Sequence, residues 1–140
     1  MVTSKYQHQC ASHTFFAKAL TKRITRSEHI ILASFSARVS SISDNRSGGW
    51  HSYRMSKCML NMLIKNISIE WSFKSPQSII FGYHPGTVDT PLSKPFQSRI
   101  KGGQLFTATD AANYFFDCLN TRSPAHSGKL YDWQQKEIML

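Results

Sequence analysis

The 140-residue sequence is short of acidic side chains, with 8 Asp+Glu against 17 Lys+Arg and a formal net charge of +9. Its basic residues do not gather into a dense run. They are scattered as singles and pairs, among them Lys22-Arg23, Arg26, Arg38, Lys65 and Lys74. That dispersal speaks against a nucleic-acid surface and for a solvated exterior that gives some help toward a phosphate-bearing ligand. Cysteine is equally sparse. Cys10, Cys58 and Cys118 are widely spaced and form no C-x-x-C, so neither a disulfide framework nor a zinc ribbon is supported. His8, Cys10 and His13 fall close together, but at no zinc-site spacing, and no metal is expected. No apolar run approaches the ~18 residues of a membrane span, and the N-terminus has no apolar signal-like core. The expectation is a reduced, soluble, cytoplasmic protein without a membrane segment. Internal repeats and low-complexity tracts are missing too.

What is present reads as a single globular domain over residues 1–140, with 41% hydrophobic and 12% aromatic residues. Phe15, Phe16, Leu20 and Ile24 recur at helical spacing within a helix expected from about Ala11 to Arg26. Ile30 to Phe35 reads as a short strand buried on both faces of a parallel sheet. The polar stretch Ser36–Gly49, rich in Ser and closed by Gly48-Gly49, is too long for a tight turn and is expected to lie near function. A long helix then runs to Trp71, with Met55, Met59, Met62, Leu63, Ile67 and Trp71 as its apolar stripe, suited to a core or a subunit interface. Ser78–Tyr83 is the next strand, followed by the Pro- and Gly-shaped loop His84–Pro91 at its carboxyl end. A polar segment from Ser93 to Gln104 leads to a third helix, Thr107–Asn120, with Thr109-Asp110 as capping candidates and Tyr114, Phe115 and Leu119 facing inward. Gly128–Trp133 is a last strand. Helix and strand alternate throughout, which predicts an α/β fold with a parallel sheet.

Two residues on the long helix carry chemistry. Tyr53 and Lys57 stand at i and i+4, one turn apart on one face. An ammonium beside a phenol favours phenolate and draws its pKa down from about 10, an arrangement suited to moving protons. The loop after the second strand lies just outside the carboxyl end of the sheet, where open α/β folds bind ligands.

Strand, polar loop, Y-x-x-x-K helix, strand, Pro-Gly-x-Val-x-Thr loop, helix and closing strand together resemble the C-terminal part of the short-chain dehydrogenase/reductase family. Ser36-Ala37-Arg38-Val39, Ile42-Ser43-Asp44-Asn45, Gly48-Gly49-Trp50, Tyr53-Arg54, Ser56-Lys57, Leu60-Asn61-Met62, His84–Thr90 and Asp132-Trp133 are similar to the C-factor and sniffer-like carbonyl reductases. The resemblance implies a partial Rossmann-like sheet made of the last three strands and their helices, and an NAD(P)-dependent hydride transfer between a small-molecule carbonyl and an alcohol. By that resemblance Tyr53 is the general acid/base, and Lys57 lowers its pKa and holds the nicotinamide ribose. Pro85, Gly86, Val88 and Thr90 match the loop that meets the nicotinamide, and Ser93–Gln104 matches the variable substrate lid. The resemblance also points to a possible homo-oligomer through the Tyr53 helix.

The sequence departs from the family pattern in three places. It has no G-x-G-x-x-G or G-x-x-x-G-x-G, the turn whose backbone N–H groups seat a pyrophosphate, and Gly48-Gly49 and Gly102-Gly103 are not in its place. The N-terminal dinucleotide-binding half is therefore expected to be missing, and cofactor binding by this chain alone is doubtful. The family's substrate-holding serine aligns with Ala37, with Ser36 beside it and Ser40 and Ser41 at 13 and 12 residues before Tyr53; Ser36 and Ser41 are the candidates kept. Cys10-Ala11-Ser12 stands where the family tends to carry a proton-relaying asparagine. A truncated, catalytically inactive relative acting as a binding or assembly module is the alternative reading.

Overall fold

Helices and strands alternate along the chain in a computed structural model that describes residues 3–100 and 104–140, apart from the side chains of residues 3–11, 96 and 99. In order they are α1 (Thr3–Arg23), β1 (Ile31–Phe35), α2 (His51–Lys74), β2 (Ile79–His84), β3 (Thr87–Val88), β4 (Leu105–Phe106), α3 (Ala108–Asn120), β5 (Leu130–Asp132) and β6 (Glu137–Ile138). The main sheet has the order β1-β2-β5-β6, with the first three strands parallel and β6 antiparallel. The helical connections between parallel strands follow from their geometry, since a tight hairpin can only join antiparallel ones.

Each face of the sheet is covered by helix. On one, Ala17, Leu60, Ile64, Ile67, Trp71 and Ile80 form a buried cluster joined by Leu20, Ile24 and Leu32. Trp71 is wholly buried, and its indole N–H donates to Thr21 Oγ1 at 2.7 Å, so α1 and α2 are locked by a polar bond inside an apolar contact. Replacing Trp71 by Ala would cost ~3–5 kcal/mol. On the other face, α3 covers Ile79, Phe81, Tyr83, Cys118 and Tyr131. Gly82 of β2 allows the close approach of α2, because a Cβ there would stand 2.9 Å from Leu130 and 3.3 Å from Ile64.

The fold follows the sequence reading in its parallel sheet and alternating order. Particular faces differ. Helix α1 begins eight residues earlier than expected, and Phe15 and Phe16 point into solvent while Ala17, Leu20 and Ile24 pack. On α2 the packed residues are Leu60, Ile64, Ile67 and Trp71, and Met55, Met59 and Met62 are exposed. Two apolar stripes share this helix, and periodicity alone does not say which one meets the sheet. Strand β1 is an edge, with Ile31 and Phe35 about half exposed, because no described residue pairs on its outer side. The cap of α3 is Thr107, not Thr109: its hydroxyl accepts from Asp110 N, and the Asp110 side chain answers the Thr107 N–H. The pairing of β3 with β4 and the β5–β6 hairpin were not foreseen. Gly102-Gly103 and the side chains of His8 and Cys10 lie outside the described residues.

Candidate active site

The carboxyl ends of β1 and β2 meet the first turns of α2. Three successive residues before the helix, Gly48, Gly49 and Trp50, take left-handed φ values of 60°, 69° and 47°, which only glycine adopts freely. Arg54 holds this turn in place. Its Nε donates to Gly49 O at 3.0 Å, Nη1 to Val39 O at 2.8 Å, and Nη2 to Gly48 O at 3.0 Å and Ser47 Oγ at 3.2 Å. The planar, many-donor guanidinium suits such a task. The Ser36–Gly49 loop is thereby ordered against α2.

One turn further on, Lys57 is buried and its Nζ donates to the Phe35 carbonyl at 2.9 Å, at the last residue of β1. Tyr53 is half-buried, and the Lys57 Nζ lies 5.9 Å from its ring centroid. The expected pair is thus on one face of α2 and beside the strand end. Asn61, two turns beyond Tyr53, continues that face and is buried.

The second loop stands next to the first because β2 is the neighbour of β1. Gly86 has φ 75°, and a Cβ there would meet Phe106 at 2.6 Å and Trp133 at 3.0 Å. Phe106, Tyr114 and Trp133 pack as an aromatic triangle with centroids 4.6–5.5 Å apart. Thr87 and Val88 pair with Leu105 and Phe106, and the Asp89 N–H donates to Phe106 O at 2.8 Å. Ser93 Oγ donates to Val88 O at 2.6 Å and accepts from the Thr90 N–H at 3.2 Å. The Thr90 hydroxyl donates to Val88 O over a long 3.4 Å. Pro85, Gly86, Val88 and Thr90 therefore form one fixed loop at the carboxyl end of β2.

Beneath it lies a charged group the sequence did not connect. Asp132 is buried, accepts from the N–H groups of Gln134 and Lys136 at 3.0 Å each, and pairs with Arg38 at 2.7 Å. Arg38 also pairs with Asp44 at 2.9 Å. His84 stands opposite Asp132 in the sheet. Loss of hydration lowers its pKa to about 4, with the Arg38 charge acting in the same direction and Asp132 against.

The candidate serines have committed their protons. Ser36 Oγ donates to Asn61 Oδ1 at 2.7 Å, Ser40 Oγ to the Ala37 carbonyl, and Ser41 Oγ to the Met139 carbonyl next to β6. Ser36 is adjacent to the Lys57 acceptor, whereas Ser41 faces the β6 end of the sheet. Asn61, Arg54 and the Arg38–Asp132 pair are the site residues that the sequence reading did not single out. A polar residue four beyond Lys57, in register with the buried Ile64, was the available signal for Asn61.

A phenol and an ammonium at the carboxyl end of β1, and a threonine hydroxyl in the loop after β2, stand where open α/β sheets bind ligands; by the resemblance these are the groups that would meet a nicotinamide. Among the described residues no G-x-G-x-x-G turn stands at a helix N-terminus, which is what the pyrophosphate end needs.

No family model matches the chain. It is 36% identical over 93 residues to 1-hydroxy-2-glutathionyl-2-methyl-3-butene dehydrogenase of Rhodococcus sp. (strain AD45), covering 66% of this chain and 39% of that protein. To the C-signal protein of Myxococcus xanthus it is 28% identical over 107 residues, covering 76% of this chain and 59% of that one. Its fold matches the NADPH-bound carbonyl reductase from chicken fatty liver with a TM-score of 0.66 at 24% identity, over 79% of this chain and 42% of the enzyme. In sequence the chain is thus similar to a dehydrogenase and to the C-signal protein, and in fold to solved carbonyl reductases and short-chain dehydrogenase/reductases. It spans about half the length of the relatives it matches. What it shares with the solved structures is an α/β fold with a parallel-rich sheet, over under half of each of their chains.

Proposed function

We propose that this chain supplies the proton-transfer half of an NAD(P)-dependent oxidoreductase that interconverts a small-molecule carbonyl and its alcohol. The observation that carries the reading is Lys57, buried on α2 with its ammonium on the Phe35 carbonyl and within 6 Å of the Tyr53 ring (5.9 Å to the centroid). Burying an ammonium is costly unless it is hydrogen-bonded and in use. Tyr53 Oη gives its proton to the carbonyl oxygen in reduction and takes it back in oxidation. Lys57 favours the phenolate and faces the ribose. Pro85, Gly86, Val88 and Thr90 hold the nicotinamide, which when bound supplies or accepts the hydride. Ser36 and Ser41 shape the loop that forms the wall, since their protons are already donated.

The NADP-bound relatives support the cofactor choice for the family fold. Turnover of carbonyl substrates with NADPH tests the reading, comparing this chain with its Tyr53→Phe variant. Activity that survives the loss of the phenol proton would remove Tyr53 from its role. Cofactor affinity of the 140 residues alone is expected to be weak, and micromolar binding of NADPH would overturn that expectation.

A second reading is favoured by α2 itself. Met55, Met59, Met62, Ile69 and Phe73 form an exposed stripe at helical spacing on the side away from the sheet. Such a patch suits burial against a second copy of this chain, so the chain would also act as an assembly module.

A further inference from the structure

Asn61 sits one turn past Lys57 on the buried face of α2, and both ends of its amide are engaged. The directions of these bonds are fixed by elimination. The Ala37 carbonyl can only accept, so the proton between it and Ser40 belongs to Ser40. Ser40 Oγ must then accept from Asn61, which places Nδ2 there, at 2.6 Å. Asn61 Oδ1 is left facing Ser36, whose hydroxyl donates to it at 2.7 Å. The Ser36 backbone N–H donates to Tyr83 O at 2.8 Å. The peptide unit between Phe35 and Ser36 is thus held by β2 through its N–H and by α2 through the Ser36 side chain. Its carbonyl is the one that receives the Lys57 ammonium. Cys58, donating to Ser40 O at 2.9 Å, closes the same loop on the same helix.

We propose that Asn61 is a positioning residue that aims Lys57 by fixing the Phe35–Ser36 peptide through the Ser36 hydroxyl. Asn61 touches no reacting atom. Its effect is to keep the ammonium at the strand end, where Tyr53 needs it, and to keep the Ser36 proton out of the site. In purpose the proposal rests on the Tyr53–Lys57 reading; its test does not.

The test is proton exchange from the Lys57 ammonium, observed by NMR in the full 140-residue chain labelled with 15N-lysine and assigned with Lys57→Arg. An ammonium held on a carbonyl exchanges slowly. Ser36→Ala and Asn61→Leu are expected to speed exchange about tenfold, the order of one lost charge-assisted bond. Ser36→Ala deletes a single hydroxyl, so it reports even where Asn61→Leu fails to fold. Ile64→Val trims the neighbouring core without touching the network and is expected to leave the rate unchanged. An exchange rate in Ser36→Ala equal to that of the unaltered chain would overturn the proposal. So would an equal acceleration in Ile64→Val, since that marks a generally loosened fold. A chain without any turnover still gives this measurement, so failure of the reductase reading and failure of the Asn61 assignment are told apart.

Discussion

The ammonium of Lys57 on α2 donates to the carbonyl of Phe35, the last residue of β1, at 2.9 Å. The two residues are 22 apart in sequence, and the bond fixes the charge at the sheet's carboxyl end. Lys57→Met keeps the apolar stem and removes the charge. Activity is expected to fall by ~10²–10⁴, the usual worth of assisted proton transfer. The unfolding free energy should change by no more than ~2 kcal/mol, since the lost bond leaves one carbonyl unsatisfied but also unburies no apolar surface. Steady-state rates beside urea unfolding measure both. Large destabilisation with unchanged kcat would make Lys57 a structural residue.

Gly86 is predicted to tolerate no side chain. Its left-handed φ costs an L-residue ~1–2 kcal/mol, and the nearest ring atoms of Phe106 and Trp133 leave a Cβ no room. Gly86→Ala should lower stability by ~2–4 kcal/mol with overpacking included, and should displace the Thr87–Thr90 loop. A loss below ~0.5 kcal/mol in denaturant titration would contradict this packing.

His84 gives a pH dependence of known sign. Its folded pKa of about 4 lies below its ordinary 6.5, so between those values the unfolded chain binds the extra proton. Stability contributed by the neutral ring is complete above pH ~6.5 and is lost as pH falls toward about 4. The ceiling is ~3 kcal/mol, from ~1.4 kcal/mol per unit. The charges facing the ring are Arg38 and Asp132. His84→Gln should flatten the stability profile in that window, measured by chemical denaturation at several pH values. An unchanged slope would place the acid sensitivity elsewhere.

How much of this was legible in the sequence depended on range. That Tyr53 and Lys57 share a face was readable because helical spacing brings i and i+4 together, and that Pro85–Thr90 form a shaped loop because Pro and Gly constrain the chain locally. The Arg38–Asp132 pair joins residues 94 apart, and only the β2–β5 pairing brings them together. Asn61 was visible as a residue but not as a link, because its partners, Ser36 and Ser40, lie in a loop whose course the sequence does not specify. The α2 stripe read from the sequence joined residues that the structure separates: Ile67 and Trp71 are buried, whereas Met55, Met59 and Met62 are exposed, and helical spacing alone left core and subunit interface open for them.

That exposed stripe leads to a prediction about assembly. Met55, Met59 and Met62 are each about 60% exposed, and Ile69 and Phe73 extend the row toward the end of the 24-residue helix. A second copy packed along it would remove apolar surface worth ~25 cal/mol per Å² from water. The chain is expected to associate at micromolar concentration, and the double change Met59→Glu and Met62→Glu to shift it toward monomer. Light scattering coupled to size exclusion reads this. A parent chain that is monomeric throughout would discard the assembly role for α2.

Tyr83 supplies the sharpest stability test. Its side chain is wholly buried against Phe35 and Phe115, with ring centroids at 5.8 and 5.1 Å, and its hydroxyl is without a hydrogen-bond partner among the described residues. Burial pushes its pKa well above the usual phenol range, and neighbouring Cys118 and Asp132 add to that, so the group stays protonated and unpaired. A desolvated hydroxyl that gains no bond costs ~1–3 kcal/mol. Tyr83→Phe keeps the ring and both aromatic contacts and removes only the unpaired oxygen. The variant should be as stable as the parent or more stable by ~1 kcal/mol, against the usual direction for core substitutions. A fall of ~1 kcal/mol or more in the unfolding free energy would mean that the hydroxyl has a partner in solution, and the wall between β1 and α3 would then need to accommodate it.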